Sequence, residues 1–497
     1  MLLLLGNILF FLTLWLLQKY DKICLDQCLF QIKTSSSGVN HEIAGSAVLR
    51  VGCLSIGMTL LQTLLYMVLS GSLYEKFQSN RRYISYCTTK ACGFFRRRAL
   101  SLALAVFVFC ISFFAVQLDV LAYVDMVYTE SDFIEEHYAD PGIVNLTFPN
   151  EKRNLIYIFL ESMENTYADT SAGQPITANY ILELTKLAED NVNFSNTDSL
   201  GGAYSYAGTT WTASAMVAQT SGMPVKVPIT ADAYGSELGF MPGATSLGEI
   251  LAKEGYSQTL LVGSEAEFHG RESYFLQHGD YNIVDIDSLK AEGKLPEDYL
   301  EWWGFEDEKL FEFAKDELTK LAAEGKTFNL TMLTADTHFP DGYVCRLCTD
   351  EYEEQYPNVL SCSSKQVYEF VEWIKEQPFY ENTTIVISGD HLTMDADFFD
   401  DLDEKYVRTT YNCIINSAVE PMQEKNRQFG TFDMFPTTLA AMGVKIEGDR
   451  LALGTNLFSD KKTLTEMYGF ETLDNEMQKN SEFYNTNFLA MEEEKDG

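Results

Sequence analysis

Hydrophobic residues are concentrated in three long runs near the start of the chain: Met1–Gln18, Val51–Gly71 and Ala99–Val124. A helix needs about 20 apolar residues to cross a bilayer, so each run predicts a membrane-spanning helix, the first being slightly short. The pattern therefore indicates a multi-pass membrane region at the front of the chain.

Basic residues between the second and third runs indicate the orientation of this region. They are Lys76, Arg81, Arg82, Lys90, Arg96, Arg97 and Arg98. Cytoplasmic loops carry an excess of Lys and Arg, so we expect this segment and the N-terminus to be cytoplasmic. Lys19–Arg50 is then an outer loop, and the chain from about Asp125 onward is extracytoplasmic.

Beyond residue 150 the pattern changes to short apolar runs that alternate with segments of helical period. The apolar runs predict strands at Asn154–Leu160, Ser257–Gly263, Phe328–Asp336, Thr383–Gly389 and Tyr411–Ser417. The helical segments are Ile176–Asp190, Glu308–Gly325, Ser364–Gln377 and Asp433–Gly443. Such alternation is typical of an α/β fold with a mostly parallel central sheet and helices on both faces.

These patterns predict four parts of the chain. They are a transmembrane helical region (1–124), a linker (125–150), an extracytoplasmic catalytic domain (151–460) and a C-terminal tail (461–497).

The charge distribution separates the same two environments. The chain has 36 Lys+Arg and 72 Asp+Glu. Residues 1–125 hold 11 of the basic residues and 6 of the acidic ones, so the remainder of the chain holds 25 basic and 66 acidic residues. The front is therefore basic and the back strongly acidic. Nucleic acid is excluded as a partner, because phosphate backbones are bound by clustered Lys and Arg.

Four cysteines belong to the predicted outer domain: Cys345, Cys348, Cys362 and Cys413. Disulfides form and persist outside the cytoplasm, so the Cys345-x-x-Cys348 pair with Cys362 is consistent with a short disulfide clip. A zinc ribbon is the alternative, although a second close cysteine pair is missing. The connectivity cannot be deduced from the sequence.

Proteins with a parallel sheet bind their ligands beyond the carboxyl ends of the strands. Residues with acidic or imidazole side chains follow three of the predicted strands. Glu161 follows the first, His338 the third, and Asp390 with His391 the fourth. Two carboxylates and an imidazole suit Mn²⁺, Mg²⁺ or Zn²⁺. An ordinary polar loop is the alternative interpretation of each residue taken alone.

A threonine-rich segment, "AGTTWTASAMVAQTSGMP", offers a nucleophile. Thr209, Thr210 and Thr212 precede or begin a helix-like stretch. A threonine at a helix start is often only a cap, but a helix N-terminus also favours anions. A threonine hydroxyl beside a cation could therefore attack a phosphorus atom.

Together "IFLES", "GTTWTASAMVAQTSGMP", "DTHFPDG" and "SGDH" resemble the sulfatase-like phosphoglycerol transferases of the alkaline-phosphatase superfamily. The resemblance covers about residues 150–460. It implies one divalent metal ion, often Mn²⁺, bound by Glu161, Thr212, Asp390 and His391.

The resemblance also implies roles for individual residues. Thr212 is the expected nucleophile, because its ten-residue interval to Gly222 matches that of sulfatase-type helices; Thr210 is the alternative. His338 matches a histidine that contacts the substrate phosphate or protonates the leaving group. Arg271 resembles a phosphate-contacting arginine of the family. A role in a structural salt bridge is an equally good interpretation of this residue.

The sequence departs from the family's relatives in two respects. Family members often have four or five spans, whereas three are predicted here. The sulfatase signature Cys-x-Pro-x-Arg is absent, since the equivalent stretch reads "TASAM". No residue there can become formylglycine, which disfavours sulfate-ester hydrolysis.

We therefore expect a transferase of the bacterial cell membrane. It would move phosphoglycerol from phosphatidylglycerol to a glycan or polyol acceptor through a covalent threonine intermediate. A phosphoethanolamine transferase and a lipid phosphodiesterase are alternatives within the superfamily. A membrane-tethered binding protein without activity is the alternative of another class.

Overall fold

The computed structural model describes residues 1–19, 25, 28–30, 41–72, 90–173, 175–227, 234–236, 239–395, 397–399, 401–403 and 405–489. The chain divides into two compact units. One comprises Met1–Leu25 and Val39–Asp125, and the other comprises Asp26–Gly38 and Met126–Gly497.

The first unit is helical. Its helices are Leu2–Lys19, His41–Leu69, Lys90–Arg97 and Ala99–Gln117, and a further helix, Val120–Tyr128, crosses the boundary between Asp125 and Met126. Among the described residues, Ala47–Leu69 and Ala99–Gln117 are long and apolar enough to span a membrane, while Leu2–Gln18 is apolar but shorter. Lys76, Arg81 and Arg82, on which the predicted orientation depends, lie outside the described residues.

A six-stranded sheet forms the centre of the second unit among the described residues. Its strands are β2 (Asn154–Leu160), β5 (Ser257–Val262), β6 (Asn282–Val284), β7 (Phe328–Leu333), β8 (Thr383–Gly389) and β9 (Asn412–Ile415). They lie in the order β6-β5-β7-β2-β8-β9, and all neighbours are parallel except β8 and β9. The predicted α/β fold with a mostly parallel sheet is confirmed; the short edge strand β6 was not predicted.

The two faces of β2 lie in different hydrophobic clusters. Leu155, Tyr157 and Phe159 belong to one cluster, and Ile156 and Ile158 to the other. Because successive side chains point to opposite faces of a strand, the continuous apolar sequence "NLIYIFL" requires cover on both sides. This arrangement holds the central strand, and the residues that follow it, in a rigid frame.

The helices of the second unit surround this sheet. They are Phe133–His137, Leu182–Asp190, Thr212–Ser221, Leu247–Lys253, Arg271–Gln277, Ile286–Ala291, Asp307–Ala323, Gln355–Lys375, Met434–Ala441, Leu464–Tyr468, Phe470–Gln478 and Glu482–Tyr484. The smaller strands are β1 (Leu146–Thr147), β3 (Tyr234–Ser236), β4 (Gly239–Phe240), β10 (Lys445–Ile446), β11 (Arg450–Leu451) and β12 (Gly454–Thr455).

The second unit includes folded segments that come before and after the predicted catalytic domain (151–460) in the chain. Within the segment predicted as a linker, β1 pairs antiparallel with β10. Within the segment predicted as a tail, Leu473 and Tyr484 are buried in the core. Short, weakly periodic elements of this kind give little signal in a sequence, because their stability comes from distant partners.

Candidate active site and metal centre

The candidate site begins where two neighbouring strands end. β2 and β8 are in register up to Leu160 and Gly389, so the residues that follow them, Glu161 and Asp390, emerge side by side. Gly389 permits this approach, because a Cβ at that position would lie 1.9 Å from the carbonyl oxygen of Met163. Any larger residue would force the two turns apart.

Asp390 fixes both turns through one oxygen. Its Oδ1 accepts hydrogen bonds from the backbone N–H of Ser162 at 2.8 Å and of His391 at 2.7 Å. Ser162 has a φ of 53°, a left-handed conformation that is costly for a residue with a side chain. The bond to Asp390 helps to maintain this turn directly beside Glu161.

Thr212 is the first residue of the helix Thr212–Ser221. Its Oγ1 donates to Glu161 Oε2 at 3.2 Å and lies 3.3 Å from His391 Nε2. The helix ends at Gly222, whose φ of 70° is the left-handed conformation that glycine adopts without strain. The structure thus brings together Glu161, Thr212, Asp390 and His391.

The neighbouring threonines occupy other positions. Thr209 is buried, and its Oγ1 donates to the carbonyl oxygen of Tyr206 at 2.9 Å. Thr210 lies before the start of the helix. Of the three threonines, Thr212 lines the cavity beside Glu161.

A divalent cation fits this cluster. Glu161, Asp390 and His391 each offer a ligand atom within 4.8 Å of the others. Asp390 Oδ2 is buried and has no hydrogen-bond partner among the described residues, which is costly for a carboxylate unless a cation compensates it. His391 Nδ1 lies 2.7 Å from the carbonyl oxygen of Leu392, so we assign the ring proton to Nδ1. The Nε2 lone pair then faces the carboxylates, as a metal-ligating histidine requires.

Burial and crowding of charge shift the pKa values of this cluster. Burial, together with the Glu161 carboxylate, raises the pKa of Asp390 to about 7. Burial also opposes ionisation of Glu161, but His338, His391 and hydrogen bonds outweigh it, so the pKa of Glu161 is lowered. Burial disfavours the charged form of His391, yet Asp390 and Glu161 reverse this effect and its pKa is raised. The cluster therefore attracts positive charge.

His338 lines the same cavity as Glu161 and Thr212. Its Nδ1 lies 2.7 Å from the carbonyl oxygen of Phe339, which leaves Nε2 as a proton acceptor. Burial lowers the pKa of His338, which favours the neutral imidazole. A neutral imidazole in this position can take up and release a proton.

Arg271 also lines the cavity and is 5% exposed. Its Nε donates to the carbonyl oxygen of Phe268 at 3.1 Å, and its Nη2 donates to Ser264 Oγ at 2.8 Å and to the carbonyl oxygen of Glu265 at 2.9 Å. Among the described residues, none accepts a hydrogen bond from Nη1. Burial lowers the pKa of Arg271 to about 10, so the guanidinium stays charged. It is held by neutral acceptors rather than by a salt bridge.

Several cavity residues were missed by sequence reasoning. Ser264, Phe268, His269 and Trp303 also line the cavity. Ser264 follows β5 at the same edge of the sheet, so the strand-end rule could have found it. The ring of Trp303 lies 4.6 Å from that of His338, and its only sequence signal is a pair of tryptophans in a polar segment.

A residue from the predicted outer loop packs beside the candidate site. Phe30 is 1% exposed. Its ring lies 5.3 Å from Trp211, which directly precedes Thr212, and 5.6 Å from His269. The segment between the first two apolar helices therefore contributes to the core of the second unit.

The sulfatase family model matches residues 153–444, which is more than half of the chain. This chain belongs to the sulfatase family. The match confirms the resemblance at the family level, and the candidate cluster of this sulfatase-family chain lies within the matched residues.

Curated relatives share part of this sulfatase-family chain. Phosphoglycerol transferase I of Salmonella choleraesuis is 32% identical over 340 residues, which cover 67% of this chain and 42% of that protein. Phosphoglycerol transferase I of Citrobacter koseri is 34% identical over 264 residues, which cover 52% of this chain and 33% of that protein. The chain thus spans less than half the length of these curated relatives.

One solved structure extends the similarity over most of the chain. It is the integral membrane protein lipooligosaccharide phosphoethanolamine transferase A from Neisseria meningitidis, with a TM-score of 0.51 and 13% identity. The similarity covers 89% of this chain and 83% of that chain. At this identity it supports the fold alone.

Proposed function

We propose that this chain is a membrane-anchored phosphotransferase that moves phosphoglycerol from phosphatidylglycerol to a surface or periplasmic glycan. The position of Thr212 Oγ1 carries the proposal: it lies within 3.3 Å of both Glu161 Oε2 and His391 Nε2. The buried Oδ2 of Asp390 has no hydrogen-bond partner among the described residues, and it lies 3.5 Å from His391 Nε2. The similarity to phosphoglycerol transferase I supports the choice of phosphatidylglycerol as donor.

Glu161, Asp390, His391 and the hydroxyl of Thr212 would hold one divalent cation. Mn²⁺ is our first choice, and Mg²⁺ and Zn²⁺ also suit a set of oxygen ligands with one imidazole. When bound, such a cation supplies Lewis-acid activation of the hydroxyl and of the phosphoryl oxygens.

In the first half of the reaction, Thr212 Oγ attacks the phosphorus atom of the lipid. The Oγ–P bond forms as the bond from phosphorus to the diacylglycerol oxygen breaks. The proton that leaves the Thr212 hydroxyl ends on the released diacylglycerol, and His338 is the group that we assign to carry it. Glycerophosphoryl-threonine remains on the protein.

In the second half, an acceptor hydroxyl attacks the same phosphorus atom. The new P–O bond forms as the Oγ–P bond breaks, and the acceptor proton returns to Thr212 through His338. The N–H groups of Arg271 Nη1 would compensate negative charge on the phosphoryl oxygens. The N-terminus of the helix Thr212–Ser221 would favour the same charge.

The membrane region has a physical role in this proposal. Anchoring keeps the catalytic unit near lipid headgroups and raises their effective concentration. The burial of Phe30 in that unit supports a topology in which Lys19–Arg50 and the catalytic unit share the extracytoplasmic side. The basic composition of the segment between the second and third apolar runs supports the same orientation.

The test is a headgroup-transfer assay with the purified full-length chain and Mn²⁺. Vesicles carry either phosphatidylglycerol or phosphatidylethanolamine with a labelled headgroup, and each is tested with and without a glucan acceptor. We expect acceptor-dependent transfer from phosphatidylglycerol. Transfer from phosphatidylethanolamine would favour a phosphoethanolamine transferase, and equal release into water without acceptor would favour a phosphodiesterase. No release from either lipid would contradict an enzymatic function.

A further inference from the structure

Three cysteines of the second unit, none of which lines the candidate active-site cavity, converge on one point. Cys345 Sγ lies 3.7 Å from Cys348 Sγ and 3.6 Å from Cys362 Sγ. The three sulfur atoms all lie within 4.8 Å of one another. Cys362 lies on the helix Gln355–Lys375, whereas the other two belong to the loop that precedes it. The loop and the helix are thus joined by sulfur contacts.

Two of the three sulfur separations, those from Cys345, match the edge of a metal tetrahedron. Zinc binds thiolate sulfur at about 2.3 Å in a tetrahedral site, which places the ligand atoms about 3.8 Å apart. A disulfide requires a sulfur separation of about 2.0 Å between one chosen pair. Here Cys345 is nearly equidistant from two partners, so neither pair is singled out.

A side-chain amide lies beside these sulfur atoms. The Nε2 of Gln366 donates to Cys362 Sγ at 3.5 Å and lies 3.9 Å from Cys345 Sγ. Donors directed at sulfur stabilise thiolates, which are the form that binds a metal.

We propose that Cys345, Cys348 and Cys362 form a second metal site, which binds Zn²⁺ through three thiolates. Thiolates select soft or borderline cations such as Zn²⁺. Within the described residues, no fourth His, Cys, Asp or Glu joins the cluster, so a solvent molecule completes the coordination. Cys348 is the least buried of the three, which gives that solvent access.

This site would have a structural role. It would join the Cys345–Cys348 turn to the helix Gln355–Lys375. The same loop carries His338 seven residues before Cys345. A zinc ion at this point would therefore stabilise a loop that has little regular secondary structure of its own.

Alkylation mapping of the full-length chain tests the proposal. Protein purified without reductant is treated with an alkylating reagent alone, after a strong zinc chelator, or after a reductant, and labelled cysteines are identified by mass spectrometry. We expect the three cysteines to be protected at first and labelled after chelation alone. Labelling that requires reductant would establish a disulfide, and labelling without any treatment would establish free thiols; either result overturns the proposal.

Cobalt substitution gives an independent readout that separates this site from the carboxylate centre. Co²⁺ added to the stripped, full-length chain should give a sulfur-to-cobalt charge-transfer band, because only thiolate ligands produce one. Cys348→Ser and Cys362→Ser should lose the band, and Cys413→Ser, in the core strand β9, should keep it. Asp390→Asn should also keep it. A band that survives in Cys348→Ser and Cys362→Ser would contradict the proposal.

Discussion

Thr212 and His391 are 179 residues apart in the chain, yet Thr212 Oγ1 lies 3.3 Å from His391 Nε2. The first residue of the helix Thr212–Ser221 thus lies beside a residue that follows β8. Glu161, which follows the neighbouring strand β2, accepts a hydrogen bond from the same threonine hydroxyl. The proposed chemistry depends on this meeting, because a hydroxyl is a weak nucleophile until its surroundings assist loss of the proton.

Thr212→Ala should abolish transfer, because it removes the attacking oxygen. We expect kcat to fall by at least about a thousandfold. Thr210→Ala, two residues earlier, is the matched control and should retain most of the activity. The measurement is headgroup transfer from labelled phosphatidylglycerol, and loss of activity in Thr210→Ala alone would reverse the assignment.

Asp390→Asn should weaken Mn²⁺ binding at least about 100-fold, since even the loss of an outer partner of a ligand costs 10–100-fold. Asp433→Asn is the matched control. Asp433 is likewise fully buried, and burial raises its pKa to about 7, but it does not belong to the candidate metal cluster. Binding can be followed by calorimetry on the metal-stripped chain. Equal Mn²⁺ affinity in wild type and Asp390→Asn would exclude Asp390 as a ligand.

The pKa of Asp390 predicts a pH-dependent stability of the metal-free protein. Its pKa rises from 3.8 to about 7 in the folded state, so its favourable contribution is fully present below pH 3.8 and is lost as the pH rises through about 7. Asp390→Asn should therefore gain stability relative to wild type between pH 5 and pH 8. Mn²⁺ should stabilise wild type more at pH 8 than at pH 5, because protons compete with the cation. Thermal unfolding at the two pH values measures both effects, and parallel pH profiles of the two proteins would contradict the assignment.

Arg271→Lys should lower kcat/KM by roughly 10- to 100-fold, as expected from the loss of a charge-assisted hydrogen bond of about 1.5–3 kcal/mol. Lysine keeps the charge but cannot bind Ser264 and a phosphate with one planar group. Arg427→Lys is a suitable control, because Arg427 is also buried but pairs with Glu466. We expect Arg427→Lys to lower the unfolding temperature and leave KM unchanged. An unchanged kcat/KM in Arg271→Lys would favour a purely structural role.

Phe30→Ala should destabilise the catalytic unit by about 3–5 kcal/mol, the usual cost of removing a buried phenylalanine. Phe470 is 40% exposed, so Phe470→Ala should cost less. Thermal unfolding of the two variants gives the comparison. A smaller effect of Phe30→Ala than of Phe470→Ala would show that the loop segment does not contribute to the core.

The sequence predicted those parts of the fold that have strong local patterns. β2 and β8 were predicted with their observed bounds, because strands buried on both faces are continuously apolar. The strand-end rule also led to Glu161, Asp390 and His391. The cysteine spacing also grouped Cys362 with the Cys345–Cys348 pair, but it left both a disulfide and a zinc site open. The packing of Phe30 could not be predicted, since this contact joins distant segments without a repeating pattern. The choice of Thr212 over Thr210 came from the family resemblance rather than from periodicity.

The most direct test of the central claim is to trap and map the covalent intermediate. The full-length chain is incubated with Mn²⁺ and headgroup-labelled phosphatidylglycerol without acceptor, denatured rapidly, digested and analysed by mass spectrometry. The account predicts a glycerophosphoryl group on Thr212. Label on Thr210, or no labelled peptide from a preparation that transfers the headgroup rapidly when acceptor is added, would contradict it.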